Sequence, residues 1–281
     1  MTPGPRASVG TPNEDRAVRS SYAGDALAGT RALVTGGASG IGFAIGQRLQ
    51  AMGAGLTLVG RDRTRLDAAL DLLADDRNDA IACDIGDAAA VDGLFAGLVE
   101  AGRAPDVLVN NAGGATSAAF DAISDELWNE TLRVNLSGVF HCTRAALPPL
   151  LRKPWGRIVN IASTAGLIGY RNVAAYCAAK HGVIGLTRSL ALEVAHTGVT
   201  VNAVCPGYTE TEMVRDAIAR MAKETGKSEA DAREALVRRN PQRRLVVPEE
   251  VAATVAWLCL PESQSINGQA IAVSGGEVMT G

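Results

Sequence analysis

A tyrosine and a lysine stand four residues apart in Tyr176-Cys177-Ala178-Ala179-Lys180, inside a segment of helical pattern. That spacing puts phenol and ammonium on one helix face. A free tyrosine titrates near about pH 10, and a neighbouring cation stabilises the phenolate and lowers that value. A tyrosine so tuned can give and take a proton close to neutral pH. Such a pair alone is common on solvated helix faces. Ser163 adds weight to it: the serine ends the apolar run Asn160-Ile161-Ala162, thirteen residues before Tyr176, and the intervening loop can fold its hydroxyl back over the helix. Asn135, in Val134-Asn135-Leu136-Ser137-Gly138, lies in an apolar helical segment. An amide there is unfavourable unless hydrogen-bonded, so it is expected to hold a backbone carbonyl or a water.

A glycine-rich turn lies far upstream, Thr35-Gly36-Gly37-Ala38-Ser39-Gly40-Ile41-Gly42, between a strand-like run and a helical one. Gly36 can make the sharp turn, Gly40 lets a pyrophosphate approach the backbone, and Gly42 lets helix and strand pack closely. The free N–H groups at the helix start would face the phosphates. The next strand-like run ends at Gly60, followed by Arg61-Asp62-Arg63, where a dinucleotide fold reads the ribose 2′ position. No acid stands at the strand end to accept from a free 2′-OH, and the Arg61 guanidinium would pair with a 2′-phosphate. NADP(H) is therefore expected ahead of NAD(H). Asp62 either caps the next helix or turns inward to a free ribose. Asp84 is placed near an adenine amino group or serves as a helix cap, and Asn110 of Asn110-Asn111-Ala112-Gly113 ties neighbouring loops together.

Short aliphatic runs must position these groups: Arg31–Thr35, Leu56–Gly60, Asp79–Cys83, Asp106–Asn110, Arg157–Ala162, Val199–Cys205 and Ala270–Val273. Helical patterns fill the gaps, among them Ile41–Met52, Arg65–Ala74, Glu126–Leu147, Ala175–Ala195 and Pro248–Leu260. Alternation of this kind predicts an α/β fold, a parallel sheet covered on both faces, with ligands outside the carboxyl ends of its strands. The 281 residues fit one such domain, 30–281, behind a Pro-, Gly- and Ser-rich flexible tail, 1–29. Aromatics are only 4 % against 31 glycines, so the core must be aliphatic and its turns tight. A net charge of −3 argues against nucleic-acid partners. No run is long enough to span a bilayer, and the start lacks a secretion signal. Five scattered cysteines without CxxC, and three histidines without ligand spacing, predict no metal site and buried thiols in a reducing, cytoplasmic setting.

Taken together, TGGASGIG, NNAG, Asn135, Ser163, Tyr176, Lys180 and Pro206-Gly207 resemble the short-chain dehydrogenase/reductase family from about Arg31 to the C-terminus. The resemblance implies a Rossmann-type doubly wound sheet of about seven strands. It implies that Tyr176 protonates a carbonyl oxygen as hydride arrives, with Ser163 hydrogen-bonded to that oxygen. Lys180 would lower the Tyr176 pKa and bind the nicotinamide ribose, and Asn135 would hold a water relaying protons to Lys180. Cofactor contacts are then expected from Gly36, Ser39, Gly40, Ile41, Gly42, Arg61, Asp84, Ile85, Asn111, Ala112, Gly113, Tyr176, Lys180, Pro206, Gly207, Thr209 and Thr211. The family is usually tetrameric or dimeric, and the small residues along Ala174–Leu192 would let a second subunit's helix pack closely.

Residues 208–245 are expected to form a substrate lid. Between Glu212 and Arg244 nine Lys/Arg face six acids, a basic excess able to attract the phosphates of coenzyme A or an acyl-carrier protein. A solvated helical lid of mixed charge explains the same composition. The loop Thr164–Val173 is small and apolar apart from Tyr170, Arg171 and Asn172, so an extended acyl chain would fit. The stretch from Tyr176 through Met213 is similar to 3-oxoacyl-thioester and polyketide ketoreductases. The expected activity is thus interconversion of a 3-oxoacyl and a 3-hydroxyacyl thioester. The alternatives are an NAD-dependent alcohol, steroid or cyclic-ketone dehydrogenase, and a nucleotide-sensing scaffold without catalysis. His181, pointing away from Lys180, and Cys177 read as structural, and Trp128, Trp155 and Trp257 as core or interface anchors.

Overall fold

A computed structural model describes residues 24–279. Seven strands form one sheet: β1 Arg31–Thr35, β2 Gly55–Gly60, β3 Asp79–Ala82, β4 Val107–Asn110, β5 Gly156–Ile161, β6 Val199–Pro206 and β7 Ala270–Val273. Every neighbouring pair is parallel, in the order β3-β2-β1-β4-β5-β6-β7. The chain runs outward from β1 to β3, returns to β4 beside β1, and continues to β7. The order therefore reverses between β1 and β4, and a crevice opens there at the strands' carboxyl ends.

Alternate side chains of each strand enter opposite layers. Ala32 and Val34 of β1, with Val107 and Val109 of β4, pack under helices α1 (Gly40–Gln50), α2 (Arg63–Leu73) and α9 (Pro248–Leu258). Leu33 and Leu108 enter the other layer, beneath α3 (Ala88–Glu100), α5 (Gly138–Leu151) and α6 (Ala174–Glu193). Both layers are built from Leu, Ile, Val and Ala, as the scarcity of aromatics requires. The remaining helices are α4 (Asp125–Leu132), α7 (Glu212–Thr225) and α8 (Glu229–Val237). The last two enclose a small core of their own, Ile218, Ala222, Ala232, Leu236, Val237 and Leu245, within the stretch expected to be a lid.

Two expectations are corrected. The helix expected over Glu126–Leu147 is two helices joined by a wider π turn, Arg133–Ser137, and its second part runs through Pro148 and Pro149 to Leu151. Those prolines sit in the last turn, where each removes the N–H that would reach the carbonyl four residues back, Arg144 or Ala145, and the helix ends two residues later. The tail boundary also shifts. Gly24–Gly29 carries Leu27 into the core at 1 % exposure, its N–H donating to Met52 O at 2.8 Å, whereas residues 1–23 lie outside the described residues. Of the tryptophans read as core or interface anchors, Trp155 packs against the core, while Trp128 and Trp257 lie at the surface, 37 % and 41 % exposed.

Candidate active site and cofactor cleft

β1 delivers the glycine turn into the crevice. Gly36 adopts a left-handed φ of +64°, and a Cβ there would lie 2.9 Å from the Ala112 Cα. At Gly42 a Cβ would collide with the Gly36 carbonyl oxygen, so only glycine lets the first turn of α1 approach the loop so closely. Gly40 also has a left-handed φ, +54°. Ser39 precedes α1 exposed and without a capping hydrogen bond, so no side chain covers the helix's N-terminal N–H groups. The positive end of the helix dipole faces the crevice unscreened.

A residue that sequence reasoning missed holds the next loop onto this turn. The Thr35 hydroxyl accepts from the N–H groups of Asn111 at 2.9 Å and Ala112 at 3.0 Å. The Asn111 amide in return donates to the carbonyls of Thr35 at 3.0 Å and Gly36 at 3.2 Å. The side chain expected to touch the cofactor is therefore engaged in fixing the glycine turn, and it is Ala112 and Gly113 that continue along the crevice. Asn110 ties elements together as expected. Its amide donates to Thr143 Oγ1 at 3.0 Å and Asn160 Oδ1 at 2.8 Å, and Asn160 passes the chain to Thr187 on α6 at 2.8 Å.

At the adenosine side, Arg61 is exposed and has no ion pair within 4 Å among the described residues. Asp62 caps α2, accepting from the Arg65 N–H at 3.1 Å. Asp84 does not cap a helix: Asp87 caps α3 instead. The Asp84 carboxylate accepts from the Gly86 N–H and from Arg133, each at 2.9 Å. Burial works to raise its pKa, but these donors outweigh burial and hold it below the ordinary carboxylate value. Arg133 is a second residue with no sequence signal, brought to Asp84 by the turn that precedes Asn135. Ile85 packs in the core at 5 % exposure.

Asn135 is 2 % exposed and turns toward the crevice loop. Its amide donates to Gly114 O and Thr131 O, each at 3.0 Å, and its oxygen accepts from the Gly114 N–H at 3.1 Å. The expectation of a backbone partner is met at Gly114. Gly113 sits between Asn135 and Lys180: a Cβ there would lie 2.5 Å from Asn135 Oδ1 and 3.6 Å from Lys180 Nζ.

Ser163 ends the strand run of β5, and its oxygen accepts from the Ala165 N–H at 3.0 Å. It also lies close enough to the Tyr176 hydroxyl to work against burial and lower the phenol's pKa. Lys180 Nζ lies over the Tyr176 ring, 5.6 Å from its centroid, and donates to Ile161 O at 2.8 Å. Ser163 and Lys180 thus both lie close to Tyr176. Tyr176 keeps part of its surface exposed, yet burial pushes its pKa up to about 12, with Ser163 working the other way. Burial pulls Lys180 the other way, from 10.5 to about 8. The i, i+4 spacing places both on one face, but Lys180 extends past the ring to the β5 carbonyl.

After β6 the Gly207 N–H donates to Val273 O at 3.0 Å. Thr209 is buried and donates back to Gly207 O at 3.0 Å. Thr211 caps α7, and its methyl comes within 3.2 Å of where a Gly40 Cβ would stand. The start of α7 therefore overhangs the glycine turn. Arg65 of α2 reaches it with an ion pair to Glu212 at 2.6 Å.

A family model described as Enoyl-(Acyl carrier protein) reductase matches residues 36–277. The chain belongs to the short-chain dehydrogenase/reductases. Among curated relatives, a ketoacyl reductase assigned to the granaticin polyketide synthase of Streptomyces violaceoruber is 42 % identical, over 87 % of this chain and 92 % of its own. The D-beta-hydroxybutyrate dehydrogenase of Cupriavidus necator is 38 % identical, over 90 % of this chain and 99 % of its own. Among solved structures, a variant of actinorhodin polyketide ketoreductase crystallised with NADPH superposes with a TM-score of 0.85 at 39 % identity, over 90 % of this chain and 98 % of that one. As a short-chain dehydrogenase/reductase the chain is an oxidoreductase acting on CH–OH groups with a nicotinamide cofactor.

The crevice fits that cofactor on its own terms. A Cβ-free cradle at Gly36, Gly40 and Gly42 faces the uncapped N-terminus of α1, which suits a pyrophosphate. Among the described residues no group of His, Cys, Asp and Glu could hold a metal ion, and no helix is long and apolar enough to cross a membrane. His181 is tied to its own helix through Nδ1 and Cys177 O, 2.9 Å apart. The fold also joins two residues beside the Ser163 loop that no signal in the sequence pairs. Tyr170 bonds Thr164, the neighbour of Ser163, at 2.9 Å and Glu277 at 2.8 Å. Glu277 had left one sign: it is the only charged residue from Ser263 to the C-terminus.

Proposed function

We propose that this protein is an NADP(H)-preferring reductase that interconverts 3-oxoacyl and 3-hydroxyacyl thioesters carried on coenzyme A or an acyl-carrier protein. The convergence of Ser163, Tyr176 and Lys180 beside Gly113, at the carboxyl end of β5, carries the reading. Bound in the crevice, the nicotinamide supplies hydride to the carbonyl carbon or takes it from the alcohol.

The chain's own groups handle the proton and the developing charge. Ser163 donates to the carbonyl oxygen and fixes its position. The Tyr176 hydroxyl, with Ser163 beside it, delivers the proton to that oxygen. Lys180 holds the nicotinamide ribose and places positive charge beneath the phenol. Asn135 clamps Gly114 and so keeps the loop Asn111–Gly114 against Lys180. The exposed Arg61 would take a 2′-phosphate, and the backbone of Ala112, Gly113, Pro206 and Gly207 would border the nicotinamide.

The ketoacyl-reductase relatives support the substrate class, and the tyrosine-lined mouth and basic lid suit a long carrier arm. The hydroxybutyrate dehydrogenase relative supports a second reading, an enzyme for a free hydroxy acid. Exposed small positions on α6, Ala178 and Gly185, with Leu192 beside them, support pairing into a dimer or tetramer. All five cysteines are unpaired thiols, four of them buried, which supports a cytoplasmic setting. A panel of 3-oxoacyl thioesters and cyclic ketones with NADPH and NADH tests the reading. Thioester reduction should exceed ketone reduction and fall about 10²–10⁴-fold in Tyr176→Phe, the range for a lost acid–base group. Unchanged turnover in that variant would refute the role of Tyr176, and activity on ketones alone would refute the thioester assignment.

A further inference from the structure

Three segments far apart in sequence meet at one end of the substrate side of the crevice. They are the loop after Ser163, the turn after β6 and the turn after β7. The Tyr170 hydroxyl lies 2.8 Å from Glu277 Oε1 and 2.9 Å from Thr164 Oγ1. One phenolic proton cannot serve both oxygens. The charge-assisted bond to the carboxylate is the stronger, so Tyr170 donates to Glu277 and accepts from Thr164. The second carboxylate oxygen faces Gly207, 3.1 Å from where a Cβ would stand. Glu277 is therefore two hydrogen bonds and one peptide unit from Ser163, and it touches the turn that borders the nicotinamide.

No cation lies within 4 Å of this carboxylate among the described residues. Arg239 approaches the same tyrosine from elsewhere: its guanidinium lies over the Tyr170 ring face, 5.0 Å from the centroid, on an exposed side chain, and its effect on Tyr208 exceeds that of Glu277. Glu277 itself is half-buried. Tyr208 stands edge-on to Tyr170, ring centroids 6.3 Å apart, and is close enough to both Tyr176 and Glu277 to feel their charge. The pocket end thus consists of acceptor oxygens and one half-buried negative charge held in place by a phenol, with the exposed Arg239 cation over the phenol's ring.

We propose that Glu277, oriented by Tyr170, selects substrate by charge: it rejects free 3-oxo and 3-hydroxy acids and admits their neutral thioesters and esters. The inference rests on the reading of the site as a carbonyl reductase for acyl compounds and deepens it. A carboxylate substrate short enough to place its keto group on Ser163 must bring its own negative charge close to Glu277, where part of the field is unscreened. A thioester of the same chain carries no such charge. Glu277 therefore favours the ketoacyl-reductase reading over the hydroxy-acid one.

The test compares matched probes that differ in charge, ethyl 3-oxobutanoate and 3-oxobutanoate, in the wild type, Glu277→Gln and Tyr170→Phe. The wild type should show kcat/KM for the ester at least tenfold above that for the acid. Glu277→Gln keeps the shape and an acceptor for Tyr170, and should raise kcat/KM for the acid about tenfold while the ester changes less than threefold. Tyr170→Phe keeps the charge but releases the carboxylate, and should weaken the exclusion of the acid, though less than Glu277→Gln does. Equal effects of Glu277→Gln on both probes, or a wild type that takes the acid as readily as the ester, would overturn the proposal. If neither probe is turned over, the acyl reading fails on its own. The charge rule is then judged by binding of 3-hydroxybutyrate against 3-hydroxybutanamide to the nucleotide-loaded wild type and Glu277→Gln, with the same tenfold criterion deciding for or against it.

Discussion

Replacing Lys180 by methionine should stabilise the folded protein near pH 7 while destroying its activity. Lys180 is 3 % exposed, its ammonium has one acceptor, Ile161 O at 2.8 Å, and no carboxylate lies within 4 Å of it among the described residues. Burial takes its pKa from 10.5 to about 8. Between those values the unfolded chain binds more protons than the folded one, so wild-type stability rises as pH climbs through that window. The full difference amounts to about 3 kcal/mol, which below the folded pKa is the cost of keeping an ammonium there. Methionine removes that cost and gives up one hydrogen bond, worth about 1 kcal/mol. The variant should be about 2 kcal/mol more stable near pH 7 and lose most of that advantage, or fall below the wild type, near pH 10. Urea unfolding of both proteins at the two pH values, followed by circular dichroism, measures the difference. A stability difference independent of pH would refute the reasoning, because the hydrogen bond and packing contribute equally at both.

Two other substitutions probe the cofactor cleft. Arg61→Ala should raise KM for NADPH about 10–100-fold, the equivalent of one charge-assisted hydrogen bond, with little change for NADH, and steady-state kinetics with both nucleotides would expose an equal effect. Gly42→Ala should weaken nucleotide binding at least about tenfold and lower the melting temperature, because the new methyl collides with the Gly36 carbonyl and α1 must retreat from the loop. Calorimetric titration showing wild-type affinity in Gly42→Ala would remove close approach as the reason for that glycine.

Much of the site was legible because its signals are local. The glycine turn reads from eight consecutive residues, and left-handed φ at Gly36 and Gly40 is what only glycine tolerates without strain. The strand runs were legible because strands buried on both faces are continuously aliphatic, and the observed bounds differ from the expected ones by a residue or so. Other features were hidden because they depend on partners distant in sequence. Asp84 meets Arg133 across forty-nine positions, and Tyr170 meets Glu277 across 107. The break between α4 and α5 was missed because a π turn keeps the apolar pattern of its neighbours while adding a residue to the turn.

The sequence by itself determined the order of the elements, the glycine cradle, and which helix face carries Tyr176 and Lys180. Periodicity and backbone freedom are properties of neighbouring residues, so no folded partner is needed to read them. Tertiary structure decided the protonation behaviour of that face and the charge at the pocket's end. The sequence predicted an ammonium acidifying a phenol. In the folded chain, burial pushes the two pKa values toward about 12 and about 8, and Lys180 turns to the carbonyl of Ile161. Desolvation sums the contributions of atoms from every element around a group, and only the completed fold assembles them.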